Sequence, residues 1–125
     1  MPYSISFDAA RKRVSIRMTG HILGTDLHEM IQHVWAAPDY DPSYDGVLDL
    51  VDATISIAPR EVYDLVHIVR DSENHLRGRF AFISSHPLAT AMSMLYQYRS
   101  HAERQVAVFS TLAAAEAWLD QAAAA

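Results

Sequence analysis

The stretch Phe80-Ala81-Phe82-Ile83-Ser84-Ser85-His86-Pro87, continuing into Leu88-Ala89-Thr90-Ala91-Met92-Ser93-Met94-Leu95-Tyr96-Gln97-Tyr98, carries the reading of the fold. Four consecutive apolar residues ahead of a polar turn suit a strand covered on both faces. Ser84, Ser85 and His86 form the turn, and Pro87 stands at the first position of a helix, where a missing N–H costs nothing. Leu88, Ala91, Met92, Leu95 and Tyr98 follow at helical spacing, so strand, turn and helix make one half of a crossover to a parallel neighbour.

The same grammar recurs on both sides. Upstream, Val47 to Val51 reads as a strand with Asp49 its only polar residue, and Pro59 opens a helix whose stripe is Val62, Leu65, Val66 and Val69. Downstream, Val106 to Phe109 is a strand, Ser110 a cap, and Leu112, Ala115 and Leu119 the buried line of a last helix with Trp118 at its margin. Further back, Leu27, Met30, Ile31, Val34 and Trp35 give another helix, capped by Thr25 and begun by Asp26, with Gly20 and Gly24 bracketing a connector before it. At the start, Tyr3, Ile5 and Phe7, then Val14, Ile16 and Met18, alternate with polar residues as an antiparallel hairpin does. The expected fold is a single α/β domain over residues 1–125 in the order ββαβαβαβα: an N-terminal antiparallel hairpin joined to a largely parallel sheet with flanking helices.

Composition narrows the functions. Half of the 125 residues are hydrophobic, enough for a core in one domain. Ten Lys and Arg against fifteen Asp and Glu give a net charge of -5 without a basic cluster, which argues against nucleic acid. The absence of cysteine removes disulfides, thiolate metal sites and cysteine nucleophiles. No apolar run approaches the ~20 residues of a membrane span, and the first residues lack a basic-then-apolar leader, so a cytoplasmic location without membrane insertion is expected.

Val47-Leu48-Asp49-Leu50, together with the ending from Val108-Phe109-Ser110 to Ala117-Trp118-Leu119, resembles the SpoIIAA-like family, whose fold is shared with STAS domains. The resemblance spans residues 3 to 120. It implies a small sheet with helices beside it, no dedicated cofactor, and a role in protein interaction or ligand binding more than catalysis. STAS domains of the anti-sigma-antagonist type carry an Asp-Ser-Ser-Gly phosphoswitch at the start of the helix after this strand. Here Ile57-Ala58-Pro59-Arg60 falls on that motif, with no hydroxyl to accept a phosphoryl group, and only Thr54 and Ser56 lie upstream as displaced acceptors.

In open α/β sheets ligands collect beyond the carboxyl ends of the strands, where helix N-termini offer free N–H groups. The turns expected there supply Asp52, Thr54 and Ser56, then Ser84, Ser85 and His86, then Ser110 and Thr111. Thr54, Ser56, Ser85 and His86 are the candidate ligand-binding residues, although helix capping explains hydroxyls at such places equally well. Ser85, His86 and Asp52 do not make a hydrolase, because no Gly-x-Ser-x-Gly elbow holds the serine and adjacent residues seldom point at one another. The seven histidines, His21, His28, His33, His67, His75, His86 and His101, show no metal-ligand spacing. Around His67, the charged residues Arg60, Asp64, Arg70 and Asp71 read as a solvated helix face with Asp64 near Arg60 and Asp71 near His67.

The helix after Pro87 is apolar beyond one stripe. With Leu88, Met92 and Leu95 turned inward, Met94, Tyr96 and Tyr98 remain as a candidate interface, since both residue types favour interaction surfaces. The sequence thus favours a non-catalytic regulatory or protein-interaction module, homodimeric, without metal or cofactor. The alternative is a carrier or sensor of a small apolar or amphipathic acid, held in an elongated cavity between helices.

Overall fold

Alternation in the first eighteen residues makes the expected hairpin: β1 (Tyr3–Asp8) and β2 (Arg13–Met18) pair antiparallel, Tyr3 opposite Met18 and Asp8 opposite Arg13. The molecule is described from a computed structural model covering residues 2–100 and 105–124. Beyond the hairpin come β3 (Gly20–Leu23), α1 (Gly24–Ala36), β4 (Asp45–Asp49), β5 (Ala53–Ser56), α2 (Pro59–Arg70), β6 (Phe80–Ile83), α3 (Pro87–Ser100), β7 (Val106–Phe109) and α4 (Leu112–Ala124). The main sheet has five strands in the order β1-β2-β4-β6-β7, parallel from β2 onward.

Two short strands stand where connectors were expected. β3 and β5 pair in parallel as a separate two-stranded sheet, His21 beside Thr54 and Leu23 beside Ser56. Gly20 makes the exit from β2 possible with a φ of 80°, a left-handed conformation that costs glycine little. Asp52 stands in a turn, but Ala53–Ser56 is not a polar turn: it is a half-buried strand, with Ala53 and Ile55 inside. Alternation over four residues is too short to separate such a strand from a turn with capping hydroxyls.

Helix ends differ from expectation in a consistent way. α1 begins at Gly24, so Thr25 is not its cap; the Leu23 N–H donates to the Asp26 carboxylate at 2.8 Å. In α2 the Ala58 N–H likewise donates to Glu61 at 3.0 Å. Each helix thus uses an acid three residues in, favourable at the positive dipole end, in place of a capping hydroxyl. At α4 the cap is Thr111, whose hydroxyl accepts the Ala114 N–H at 3.2 Å, rather than Ser110. On α2, Asp71 pairs with Arg70 at 3.5 Å instead of with His67, and no ion pair joins Asp64 to Arg60 among the described residues.

The sheet has two unequal faces. One carries Val14, Ile16, Met18, Leu48, Phe80 and Phe82 and is covered by α1, α2 and α3. The other carries Val47, Ala81 and Ile83 and is covered by α4 through Ala115 and Leu119. Two arginines fasten α4: Arg79 donates to the Trp118 carbonyl at 3.1 Å and stacks over its ring, and Arg13, 4% exposed, donates to Asp120 at 3.0 Å.

Candidate functional site

Three helices share the larger face, and they do not share it evenly. α2 packs along α3, whereas α1 approaches β3. The room left between sheet and helices is a cavity of about 100 Å³. Its floor is the row Ile16, Leu48 and Phe82, placed side by side by the registers of β2, β4 and β6. Leu27, Met30, Ile31, Val34 and Trp35 line it from α1, and Val62, Leu65 and Val69 from α2. Met92, Ser93 and Tyr96 close it on the α3 side.

Different residues line its two ends. At the carboxyl edge of the strands stand Leu50, Ile55 and Ile57, so the small β3–β5 sheet covers the edge at which ligands were expected. At the opposite edge Tyr40 and Leu76 meet Phe80, and the Tyr40 hydroxyl donates to the Asn74 carbonyl, tying the loop after α1 to the loop after α2. Near their N-termini α1 and α2 come together: Gly24 lies against the Glu61 carboxylate, which would have to swing aside for a Cβ at that position. Most half-buried lining side chains, Ile31, Trp35, Tyr40, Ile57 and Val69, belong to α1, α2 and their flanking segments, so solvent reaches the cavity along that side.

Polar groups in the lining are few and neutral. Ser93 donates to the Ala89 carbonyl at 2.7 Å, which lets a hydroxyl be buried at no loss. Tyr96 sets its ring edge-on to Phe82 at 5.3 Å, and Phe82 does the same to Phe80 at 5.1 Å. Trp35 has no hydrogen-bond partner for its indole N–H among the described residues. Among the described residues no charged side chain lines the cavity.

None of Thr54, Ser56, Ser85 and His86 lines this cavity. Thr54 and Ser56 are on the exposed side of β5, where the Thr54 hydroxyl meets His21 Nδ1 at 3.4 Å. Ser85 and His86 are exposed in the β6–α3 turn, and the His86 carbonyl accepts the Thr90 N–H at 2.9 Å as an ordinary cap. Asp52 is paired with Arg17, whose guanidinium is held protonated above its usual range first by that hydrogen bond and then by the carboxylate's charge. Ser85, His86 and Asp52 are not joined by any hydrogen bond among the described residues. At the start of α2 the Ala58 N–H donates to Glu61, so an acid already occupies the place that favours an anion.

On α3 the expected inward face is rotated. Ala89, Ser93, Tyr96 and Ser100 face the sheet, Leu88 is outside, and Met92 and Leu95 are half-buried. Tyr96, 9% exposed, is therefore withdrawn from the candidate interface, while Met94 and Tyr98 stay outside at 54% and 67%. Small residues decided this, because Ala89 and Ser93 let the helix lie close to the strands and leave room for one large ring among them. The signal is the pair of small side chains four residues apart, Ala89 and Ser93, which a count of bulky residues passes over.

Of the histidines, His33 meets the buried Tyr3 hydroxyl, whose ionisation is pushed up by burial first and then by Glu29 and Asp26. Among the described residues no three His, Asp or Glu side chains stand close enough to hold a metal; His101 lies outside the described residues. No described helix is long and apolar enough to cross a membrane.

No family model matches the chain, and no curated protein matches it. Among solved structures it is similar to an uncharacterised protein of the DUF3478 family with a SpoIIAA-like fold from Shewanella loihica. The likeness covers 94% of this chain and 93% of that one, at a TM-score of 0.63 and 13% sequence identity. The chain accordingly has a SpoIIAA-like fold, as its strand and helix order led one to expect.

Proposed function

We propose that this protein is a non-catalytic carrier or sensor that takes up a small, apolar-bodied molecule between α1 and the α2–α3 pair. The observation that carries the reading is the cavity of about 100 Å³, lined by apolar side chains from three helices and the sheet. A well-packed domain of this size leaves few voids larger than a water molecule, and apolar voids bind apolar guests. Sequence alone favoured an interaction module over a carrier, and the cavity reverses that order.

The test uses Val69→Phe, which fills the cavity from a half-buried position and so leaves the rest of the core alone. An organic extract of the freshly purified protein, examined by gas chromatography and mass spectrometry, should contain a stoichiometric small molecule that is missing from the variant. An empty extract, combined with no response of the cavity methyl groups to added benzyl alcohol, would refute the reading.

A second reading keeps its own observation. Leu88, Met94 and Tyr98 leave the outer face of α3 apolar and exposed, as a homodimer contact would require. It is compatible with the first, since the cavity and this face lie on different sides of α3.

A further inference from the structure

Resting on the reading of the cavity as a binding site, we infer that its ligand is uncharged: a molecule of about one ring in size with at most one hydrogen-bond acceptor. An amphipathic acid, the guest that the sequence suggested, does not fit. A carboxylate gives up its water on entering and needs a cation or several donors in exchange. Among the described residues the lining supplies no cation. Ser93 spends its hydroxyl on Ala89, and Tyr40 spends its own on Asn74. Among the described lining residues Trp35 adds a single N–H without a partner, enough for one carbonyl or hydroxyl oxygen and too little for an anion.

The helix ends nearest to the cavity make the case stronger. Helix N-termini are where a buried anion is ordinarily met, and α1 and α2 both start beside this space. Each of these ends already carries a carboxylate of the chain, Asp26 on the Leu23 N–H and Glu61 on the Ala58 N–H. A second negative charge brought to that end would be repelled. The hydroxyl-rich turns that could have held an acid's head, at Ser85 and His86, do not line the cavity, and β3 and β5 cover the strand ends between. What remains favourable is ring against ring: Trp35, Phe82 and Tyr96 present edges and faces to a flat guest. An apolar cavity of roughly 150 Å³ takes up benzene, which sets the scale for a ligand here.

The experiment compares benzyl alcohol with benzoate, matched in ring and differing in charge, by titrating the intact protein while following methyl resonances of Leu48, Val62 and Leu65. Benzyl alcohol is expected to shift these signals at pH 7, and benzoate to need a concentration at least about tenfold higher. Lowering the pH from 7 to 5 should strengthen apparent benzoate binding by more than about tenfold, because the neutral acid becomes more abundant as a carboxyl pKa near 4 is approached. Benzoate binding as tightly as the alcohol at pH 7, or acting at Thr54 and Ser85 instead of at the cavity methyls, would overturn the inference and leave the cavity reading standing. Silence of the cavity methyls toward both compounds would overturn the two together.

Discussion

Gly46 offers a way to close the cavity without touching a residue on its helices. It sits in β4 opposite Phe80, and a Cβ there would lie 2.6 Å from Phe80 Cδ2 and 2.7 Å from Leu76 Cδ1. Carbon atoms in contact settle at about 3.5–4.0 Å, so in Gly46→Ala each neighbour must withdraw by roughly 1 Å. Overpacking of a filled core costs about 1–3 kcal/mol. Here both neighbours line an empty space and can move into it, which puts the cost at the low end, near 1 kcal/mol. Replacing a strand glycine by alanine returns about 0.5–1 kcal/mol of backbone entropy. The net loss of stability is therefore expected to stay under about 1 kcal/mol, a fall in melting temperature of no more than ~4 °C for a domain of this length.

Binding should respond quite differently, since Phe80 and Leu76 now occupy the guest's volume. Affinity for benzyl alcohol is expected to fall by more than tenfold, or ~1.4 kcal/mol. Thermal unfolding followed by circular dichroism, and the methyl titration described above, measure the two quantities on one sample. A stability loss beyond about 3 kcal/mol would mean that the neighbours had nowhere to go, as in a filled core. Unchanged affinity would mean that the cavity is not where the guest binds. Either result refutes the reasoning.

Other consequences follow from particular side chains. Arg13 is buried with its Nε unpaired among the described residues, and its partner Asp120 is 59% exposed, so Arg13→Met should be neutral or stabilise by about 1 kcal/mol, the orphaned donor costing more than a half-solvated pair returns; a urea midpoint lowered by the equivalent of more than 1 kcal/mol would contradict this. Asp41 accepts the Ser43 N–H and hydroxyl, which hold its carboxyl below the ordinary range; that stabilisation is present above the unfolded value near 4 and is lost as pH falls through the lowered folded value, so the melting-temperature deficit of Asp41→Ala should shrink in acid and should not grow. If α3 joins two copies, Met94→Asp should yield monomers in sedimentation, and a monomeric unmodified protein at high micromolar concentration removes the dimer. With no cluster of metal-binding side chains among the described residues, unfolding curves with and without a strong chelator should coincide, and a lower melting temperature on chelation would return attention to the histidines.

Much of the fold was legible because it rests on periods that the chain repeats. The alternation of Tyr3 to Met18, the apolar Phe80 to Ile83 and the prolines at 59 and 87 each state their element locally, and the structure has them as expected. β3 and β5 were not legible, because four residues give too little alternation to separate a strand from a turn, and only pairing across more than thirty residues makes them strands. The face of α3 failed for another reason. A helix apolar on most sides does not say which side is buried; the sheet chose Ala89 and Ser93 for closeness, and Tyr96 followed them inward.

The cavity could not be read from the sequence for a deeper reason. The stripes Leu27 to Trp35 and Val62 to Val69 would be identical if α1 lay flush on α2, and a filled core would look the same in every window. Two contacts stand at its ends, Gly24 against Glu61 at one and Tyr40 on Asn74 at the other, and neither is marked by any motif. Glycine at the start of a helix usually passes for a capping choice. In this chain it also stands against the Glu61 carboxylate, where the starts of α1 and α2 come together beside a cavity floored by Ile16, Leu48 and Phe82.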